Sequence, residues 1–165
     1  MPMTLPVPIE FSLPEGWLPL SPEGVEAQEV AFAAVYPHPD AGFTPNICID
    51  GAYRPDATTL ADIADESVRQ LREAVESVEV NVRRETGSAD APGLMQRLAI
   101  SDVSGDVRRD LVQSQAYLTM ADVTDPRKRV VIRLALTATK AQHDSVLGDF
   151  QDFVRTVRPH TGARP

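Results

Sequence analysis

The sequence is poor in cysteine, in aromatic residues and in long apolar runs. Cys48 is the only cysteine, so no disulfide can form within the chain, and a reducing compartment is expected. Aromatic residues make up 5% of the chain and include a single Trp. No stretch approaches the roughly 18 apolar residues that a membrane helix needs, and the N-terminus lacks the basic and apolar regions of a signal peptide. These absences predict a cytoplasmic protein without a membrane anchor.

An excess of basic charge is also missing. The formal net charge is -8 and the isoelectric point is about 4.8. Proteins that bind nucleic acids use Lys and Arg to neutralise phosphates, so this balance argues against a nucleic-acid partner.

The groups that carry most enzyme chemistry are absent or scattered. The three histidines, His38, His143 and His160, form no ligand cluster in the sequence with Cys48. There is no nucleophile elbow and no phosphate-binding glycine loop, and Cys48 lies between two isoleucines, which is typical of a buried, inert thiol. The sequence therefore predicts no enzyme, no cofactor and no metal site.

A chain of 165 residues is expected to form one domain, over residues 1–160, followed by a disordered tail at 161–165. Prolines punctuate the first third and predict short strands and turns there. Three strands are predicted, in VPIEFSLP, in VEAQEVAFAAVY (residues 25–36) and in NICIDGAYR. PEGWLPL, between the first two, is predicted to be a turn.

Two amphipathic helices are predicted. The first lies in ATTLADIADESVRQLREAVESV, where Thr59 and Asp62 have the spacing of a capping box, and the second in HDSVLGDFQDFVRTVRP, which ends at Pro159. Between them, four strands are separated by short turns, and such strands pair antiparallel. The order predicts the α+β class, with a mostly antiparallel sheet of about six to seven strands and two main helices.

The motifs FSLPEGW, FTPNICIDG, RRDLVQSQAYL, RLALTAT and DFQDFVRTVRP resemble those of the LpqN/LpqT family of actinobacterial proteins, over roughly residues 9–159. The resemblance implies a PsbP-like fold, a curved antiparallel sheet with helices packed on it. Many members are predicted envelope lipoproteins, but this sequence has no lipobox, so the anchor is not carried over. Related PsbP-like domains mostly act as accessory, chaperone or adaptor modules. The resemblance supplies no catalytic residues.

The late strands alternate between an apolar side and a mixed side. In DLVQSQAYLTM, Val112 and Ala116 lie on the side opposite Gln113 and Tyr117, and RVVIRLALTAT alternates in the same way. The apolar side is expected to carry the helices, and the mixed side to be either solvated or a shallow binding groove. The candidate partner-binding residues are Trp17, Arg97, Gln113, Gln115, Tyr117 and Arg133.

Three functions are compatible with this pattern. The favoured one is a non-enzymatic adaptor or chaperone-like domain that recognises a protein or peptide through the mixed side. The second is a carrier of an anionic small molecule, or an enzyme, with a pocket lined by Arg97 and Arg133. The third is a self-associating structural subunit, for example a homodimer.

The stretch FTPN, residues 43–46, is predicted to open a strand. Pro45 restricts Thr44 to extended conformations, and the Asn46 amide can bond to nearby backbone where the sheet begins. Phe43 is expected to pack beneath this entry. Substitution of Asn46 should therefore lower stability and leave partner binding intact.

Overall fold

A computed structural model describes residues 9–20, 32–54, 58–87, 92–104, 106–121 and 129–159. The predicted tail at 161–165 and residues 25–31 of the second predicted strand lie outside these ranges. The described residues form β1 (Ile9–Glu10), β2 (Leu18–Leu20), β3 (Phe32–Val35), β4 (Asn46–Tyr53), α1 (Leu60–Ala74), β5 (Ser77–Gly87), β6 (Pro92–Ser104), β7 (Val107–Ala121), β8 (Arg129–Thr139), α2 (Lys140–Thr156) and β9 (Arg158–Pro159).

Seven strands form one antiparallel sheet in the order β2-β3-β4-β8-β7-β6-β5. The last long strand, β8, lies at the centre between β4 and β7. A separate two-stranded sheet pairs β1 with β9 and brings the two ends of the described chain together. The predicted α+β class with an antiparallel sheet and two helices is confirmed. The prediction missed β2, because the prolines around it indicated only a turn.

The two helices cover opposite faces of the sheet. α2 places Phe150 and Phe153 on the face that carries Ile132 and Leu134, whereas α1 places Leu60, Ile63 and Ala64 on the other face, against Leu94, Tyr117 and Val131. The expectation that both helices share the apolar side is wrong. The reason is topological: the chain must travel from β4 to β5 at the sheet edge, and α1 crosses over β8, β7 and β6 on the way.

Local signals explain where α1 begins and which side it buries. The Thr59 side chain accepts a hydrogen bond from the Asp62 backbone N–H at 3.0 Å, and the Asp62 carboxylate accepts one from the Thr59 N–H at 3.4 Å. This is the predicted capping box, which satisfies donors that a helix start leaves open. The buried residues recur at helical spacing, so one stripe of α1 faces the sheet; they are Leu60, Ile63, Ala64, Ser67 and Val68.

The FTPN stretch does open a strand, since β4 begins at Asn46. The Asn46 amide nitrogen donates to the Thr44 carbonyl oxygen at 3.3 Å, and the Pro45 carbonyl accepts from the Tyr36 N–H at 3.0 Å. Phe43 packs, partly buried, against the apolar cluster beneath the C-terminal half of α1. These contacts agree with the predicted strand entry.

Candidate functional site

The polar side chains of the mixed side lie next to one another, beneath α1. In the sheet Tyr117 is opposite Arg133, and Gln115 is opposite Gln96 of β6. The structure thus brings together Gln113, Gln115, Tyr117 and Arg133 of the predicted set. The side is not open, however, because α1 leaves Gln115 0% and Tyr117 1% exposed.

A directed chain of hydrogen bonds begins at Arg133. Its Nη1 donates to Ser67 Oγ of α1 at 3.0 Å, and Ser67 Oγ lies 2.6 Å from Tyr117 Oη. Tyr117 Oη donates to Gln115 Oε1 at 2.7 Å. Because a tyrosine hydroxyl has one proton, Ser67 must donate to Tyr117. Each of these groups is therefore satisfied within the protein.

A second chain converges on Gln115 from the other side of α1. Gln96 Nε2 donates to Gln115 Oε1 at 2.7 Å and is 3.4 Å from the Ala64 carbonyl oxygen of α1. Arg83 of β5 donates to Gln96 Oε1 from both Nε and Nη2, at 3.0 and 2.7 Å. Two arginines at opposite borders of the helix are thus connected through buried amides. Together, Ser67, Gln96, Gln113, Gln115, Tyr117 and Arg133 are called the buried network.

Sequence reasoning missed Ser67 and Gln96. The signal for Ser67 was its position in the apolar stripe of α1, where a hydroxyl needs a partner. The signal for Gln96 was its alternation with Leu94 and Leu98, which are 2% and 0% exposed. An apolar residue on either side of a polar one on the same face indicates a covered face.

On the β4 side of α1, a cavity of about 300 Å³ opens beside Arg133. Its charged groups are paired: Arg133 Nη2 lies 2.5 Å from Asp50 Oδ2, and Arg54 forms two bonds to the Glu66 carboxylate at 3.1 and 2.6 Å. Burial is the largest single effect and opposes the charge of Arg133, but Asp50 and Tyr117 together outweigh it and raise the pKa of Arg133 above its usual range. This cavity therefore has an internal counter-ion for each arginine that lines it.

On the β5 side, a groove of about 460 Å³ runs between α1 and β5. It is called the β5 groove, and its lining residues are Asp65, Val68, Arg69, Arg72, Val80 and Arg83. Asp65 accepts a hydrogen bond from Arg83 Nη1 at 2.8 Å, and Arg72 donates to the Val78 carbonyl oxygen. Three arginines against one carboxylate give the groove positive charge in an acidic chain.

Trp17 and Arg97 do not belong to this site. Trp17 is 4% exposed in the core on the α2 side, where its indole Nε1 donates to Asp149 Oδ2 at 3.0 Å. Arg97 follows Gln96 in β6 and so points to the α2 face, away from Arg133. The expectation of one surface containing all the candidate residues is wrong, and so is that of a pocket lined by both Arg97 and Arg133. Contact of any of these residues with a partner stays a prediction.

The structure also contains a Ser–His pair on the α2 face. Ser114 Oγ lies 2.9 Å from His143 Nε2, and His143 Nδ1 is 3.5 Å from Asp144 Oδ1. Ser114 and His143 are each only 2% exposed, whereas the Asp144 side chain is 91% exposed. A substrate cannot reach this hydroxyl, and the carboxylate is too solvated to orient the ring. The pair has the character of a buried structural hydrogen bond.

Burial shifts the ionisation of three groups. It lowers the pKa of His143, and it raises the pKa of Tyr117 and of the Cys48 thiol, which is half-buried and not fully buried as the sequence predicted. All of these shifts favour the neutral form of the side chain. Among the described residues, no group of three or more His, Cys, Asp or Glu could hold a metal ion, and neither helix is long and apolar enough to cross a membrane.

No family model matches the chain, and no curated protein matches it in sequence. Solved structures share its fold. The Ran-binding protein Mog1p of Saccharomyces cerevisiae has a TM-score of 0.60 at 16% identity, covering 92% of this chain and 89% of that one. The cyanobacterial PsbP (CyanoP) of Synechocystis sp. PCC 6803 has a TM-score of 0.58 at 16% identity, covering 92% and 86%.

LpqN of Mycobacterium tuberculosis, which is involved in cell envelope biogenesis, has a TM-score of 0.56 at 15% identity, covering 92% of this chain and 83% of that one. At such identities the likeness shows the fold alone. The PsbP-like fold implied by the sequence motifs is thereby confirmed.

Proposed function

We propose that this domain is a non-enzymatic binding module of the cytoplasm that recognises a protein partner, and that it is a diverged LpqN-like protein. Three features of the structure support a role without catalysis. The polar groups of the mixed side bond to one another, the Ser–His pair is sealed in the core, and the arginine beside the cavity already has a carboxylate partner. A binding role needs none of these groups to react.

The observation that carries the proposal is the β5 groove. Because α1 covers the mixed side, recognition must take place at the borders of the helix instead of on the sheet itself. At the β5 border, the side of α1 that faces β5, exposed Arg69 and Arg72 line the groove with Val80, which is 36% exposed; Val82, 45% exposed, lies on the opposite face of β5. Arginine next to exposed apolar side chains is a common composition of protein interfaces.

The similarity to Mog1p supports a protein-binding role by analogy. It is a Ran-binding protein, so this fold can carry a surface for another protein. The analogy does not extend to the identity of the partner. The anion-carrier alternative has no comparable support, because Arg97 and Arg133 lie on opposite faces and Arg133 is paired with Asp50.

The test is partner capture by the immobilised protein from a lysate of its source, with quantitative mass spectrometry. A variant with Arg69→Glu and Arg84→Glu reverses charge along the β5 border. The matched control is Lys140→Glu with Arg155→Glu, which makes the same change in net charge on exposed positions of α2. We expect a captured protein that the first variant loses and the control retains. If both variants capture the same proteins as the wild type, the β5 border is not the binding surface.

A further inference from the structure

We propose that the β5 groove takes an extended acidic segment of a partner protein, which adds as a strand to the open edge of β5. This inference rests on the proposed binding function and specifies the chemistry of its partner. The segment pairs by backbone hydrogen bonds with β5, and its acidic side chains meet the arginines of α1 and β5.

β5 lies at one end of the seven-stranded sheet. In the part of the chain that the structure describes, β5 pairs with β6 on one side only, so it ends the sheet. A strand at a sheet edge presents unpaired N–H and C=O groups, which an extended peptide can satisfy. Most side chains of β5 are exposed, and only Val78 is buried. Among the described residues no other strand pairs with this edge; the Val78 carbonyl oxygen accepts from Arg72, so an added segment would pair with the part of β5 that follows.

The pairing of β5 with its neighbour is irregular. The register between β5 and β6 shifts between Val80 and Val82, so β5 contains a bulge at this point. A bulge interrupts regular pairing, and natural sheets use it to discourage indiscriminate association. The uninterrupted part of the edge is Val82–Gly87, which fits a short segment and not a long strand.

The side chains around Val82–Gly87 carry an excess of positive charge on the α1 side. Arg83 points to the α1 face, where it joins Arg69 and Arg72 in the groove, and Arg84 points to the other face beside Val82. Asp65 is the one acidic residue among those that line the groove, and Glu85 lies on the same face of β5 as Arg83. An incoming segment therefore meets an excess of arginine on the α1 side. The net charge of -8 repels acidic segments at long range, but salt screens that repulsion beyond about 8 Å.

The same charges disfavour a second copy of this chain as the occupant. In a symmetric antiparallel pair of β5 strands, the two-fold axis places one residue opposite its own copy. If the axis passes at Arg83, Arg84 or Glu85, two like charges face each other directly, which destabilises the pair. Axes outside these positions leave little of the Val82–Gly87 run to pair. The complementary occupant is acidic and different from β5 itself.

The test uses a fluorescein-labelled synthetic peptide in which Glu and Asp alternate with Val, and fluorescence anisotropy against the full chain. Two further peptides carry backbone N-methyl groups, one at the even positions and one at the odd positions. In an added strand only alternate N–H groups point toward β5, so we expect one N-methylated peptide to lose binding and the other to keep it. A peptide with Lys in place of Glu and Asp should not bind.

The variants of the capture experiment supply the protein side of the test. We expect the variant with Arg69→Glu and Arg84→Glu to raise the dissociation constant of the peptide by about ten-fold or more. The control with Lys140→Glu and Arg155→Glu should change this constant by less than about two-fold. Amide shifts in NMR spectra should be largest at Val82–Gly87. If the double variant does not fold, Arg69→Glu alone is used, because Arg69 lines the groove, with a smaller loss expected.

The outcomes separate this inference from the proposed function. The inference is wrong if the acidic peptide does not bind, if both or neither of the N-methylated peptides bind, or if the Lys peptide binds equally well. If partner capture still depends on the β5 border in any of those cases, the proposed function stands without strand addition. A dimer in sedimentation that Arg84→Glu dissociates would make a second copy the occupant and overturn the inference.

Discussion

Replacing Gln115 by Met tests whether the buried network holds α1 on the sheet. Met has nearly the volume of Gln, so the core stays filled and only the amide is lost. The change removes the acceptor of two buried donors, Tyr117 Oη and Gln96 Nε2. Each buried donor without an acceptor costs about 1–3 kcal/mol, and partial rearrangement lowers the sum, so we expect a loss of about 3 kcal/mol in the free energy of unfolding.

The magnitude is sharpened by a double-mutant cycle with Tyr117→Phe. Alone, this change removes two hydrogen bonds, the one to Gln115 and the one from Ser67, so a loss of about 2 kcal/mol is expected. In the Gln115→Met background only the bond between Ser67 and Tyr117 remains to be lost, so removal of the hydroxyl should cost about 1 kcal/mol. The cycle therefore predicts a coupling of about 1 kcal/mol, above the roughly 0.3–0.5 kcal/mol scatter of independent sites.

The assay is urea unfolding, followed by circular dichroism and by the fluorescence of Trp17, which is buried on the far side of the sheet. Gln70→Met is the matched control. Gln70 is an exposed residue of α1, so the same change there should cost less than about 0.5 kcal/mol. If Gln115→Met also costs less than about 1 kcal/mol, or if the cycle is additive, the network does not hold the helix.

Three other outcomes follow from single side chains. Because burial lowers the pKa of His143 below 6.5, the unfolded chain binds a proton before the folded chain does, so stability falls as the pH drops through 6.5. Thermal melts should show a smaller fall for His143→Gln, and an equal fall would contradict this role of His143. Burial, and then Asp50, raises the pKa of the Cys48 thiol, so Ellman's reagent should label the folded protein more slowly than the urea-unfolded protein at mildly alkaline pH. Asn46→Ala removes the bond to Thr44 and should lower the free energy of unfolding in urea by about 0.5–1 kcal/mol without changing partner capture. Lost capture with unchanged stability would make Asn46 a binding residue instead of a structural one.

The sequence predicted the elements well where the pattern is local. The alternation in β7 assigned Ala116 and Tyr117 to opposite faces, and Ala116 does lie with the α2 core while Tyr117 lies with α1. The capping box located the start of α1 at Thr59. Such signals depend on neighbours within a turn of helix or a few strand residues, so they survive without knowledge of the tertiary structure.

The arrangement of the helices was not predictable in the same way. In β7 and β8, a face with Gln113, Gln115, Tyr117 and Arg133 has the composition of a solvated surface, and the local sign of a cover lies in β6, where Gln96 alternates with two leucines. Tyr117 and Arg133 both bond to Ser67, which precedes them in the sequence by 50 and 66 residues. Only the sheet order, in which β8 enters between β4 and β7, places these residues together.

The buried network also explains why polar residues occupy this face instead of leucines. An apolar stripe alone would let α1 settle at several positions along the sheet, because apolar contacts have no direction. The hydroxyl of Ser67 meets Tyr117 at one end of the contact, and the Ala64 carbonyl meets Gln96 next to it, so only one position of α1 satisfies both. Since Gln96 also accepts two bonds from Arg83, the same contacts fix an arginine of the β5 groove. The residues whose pattern predicted a solvated face or a shallow groove therefore position, from beneath, an arginine of the proposed binding surface.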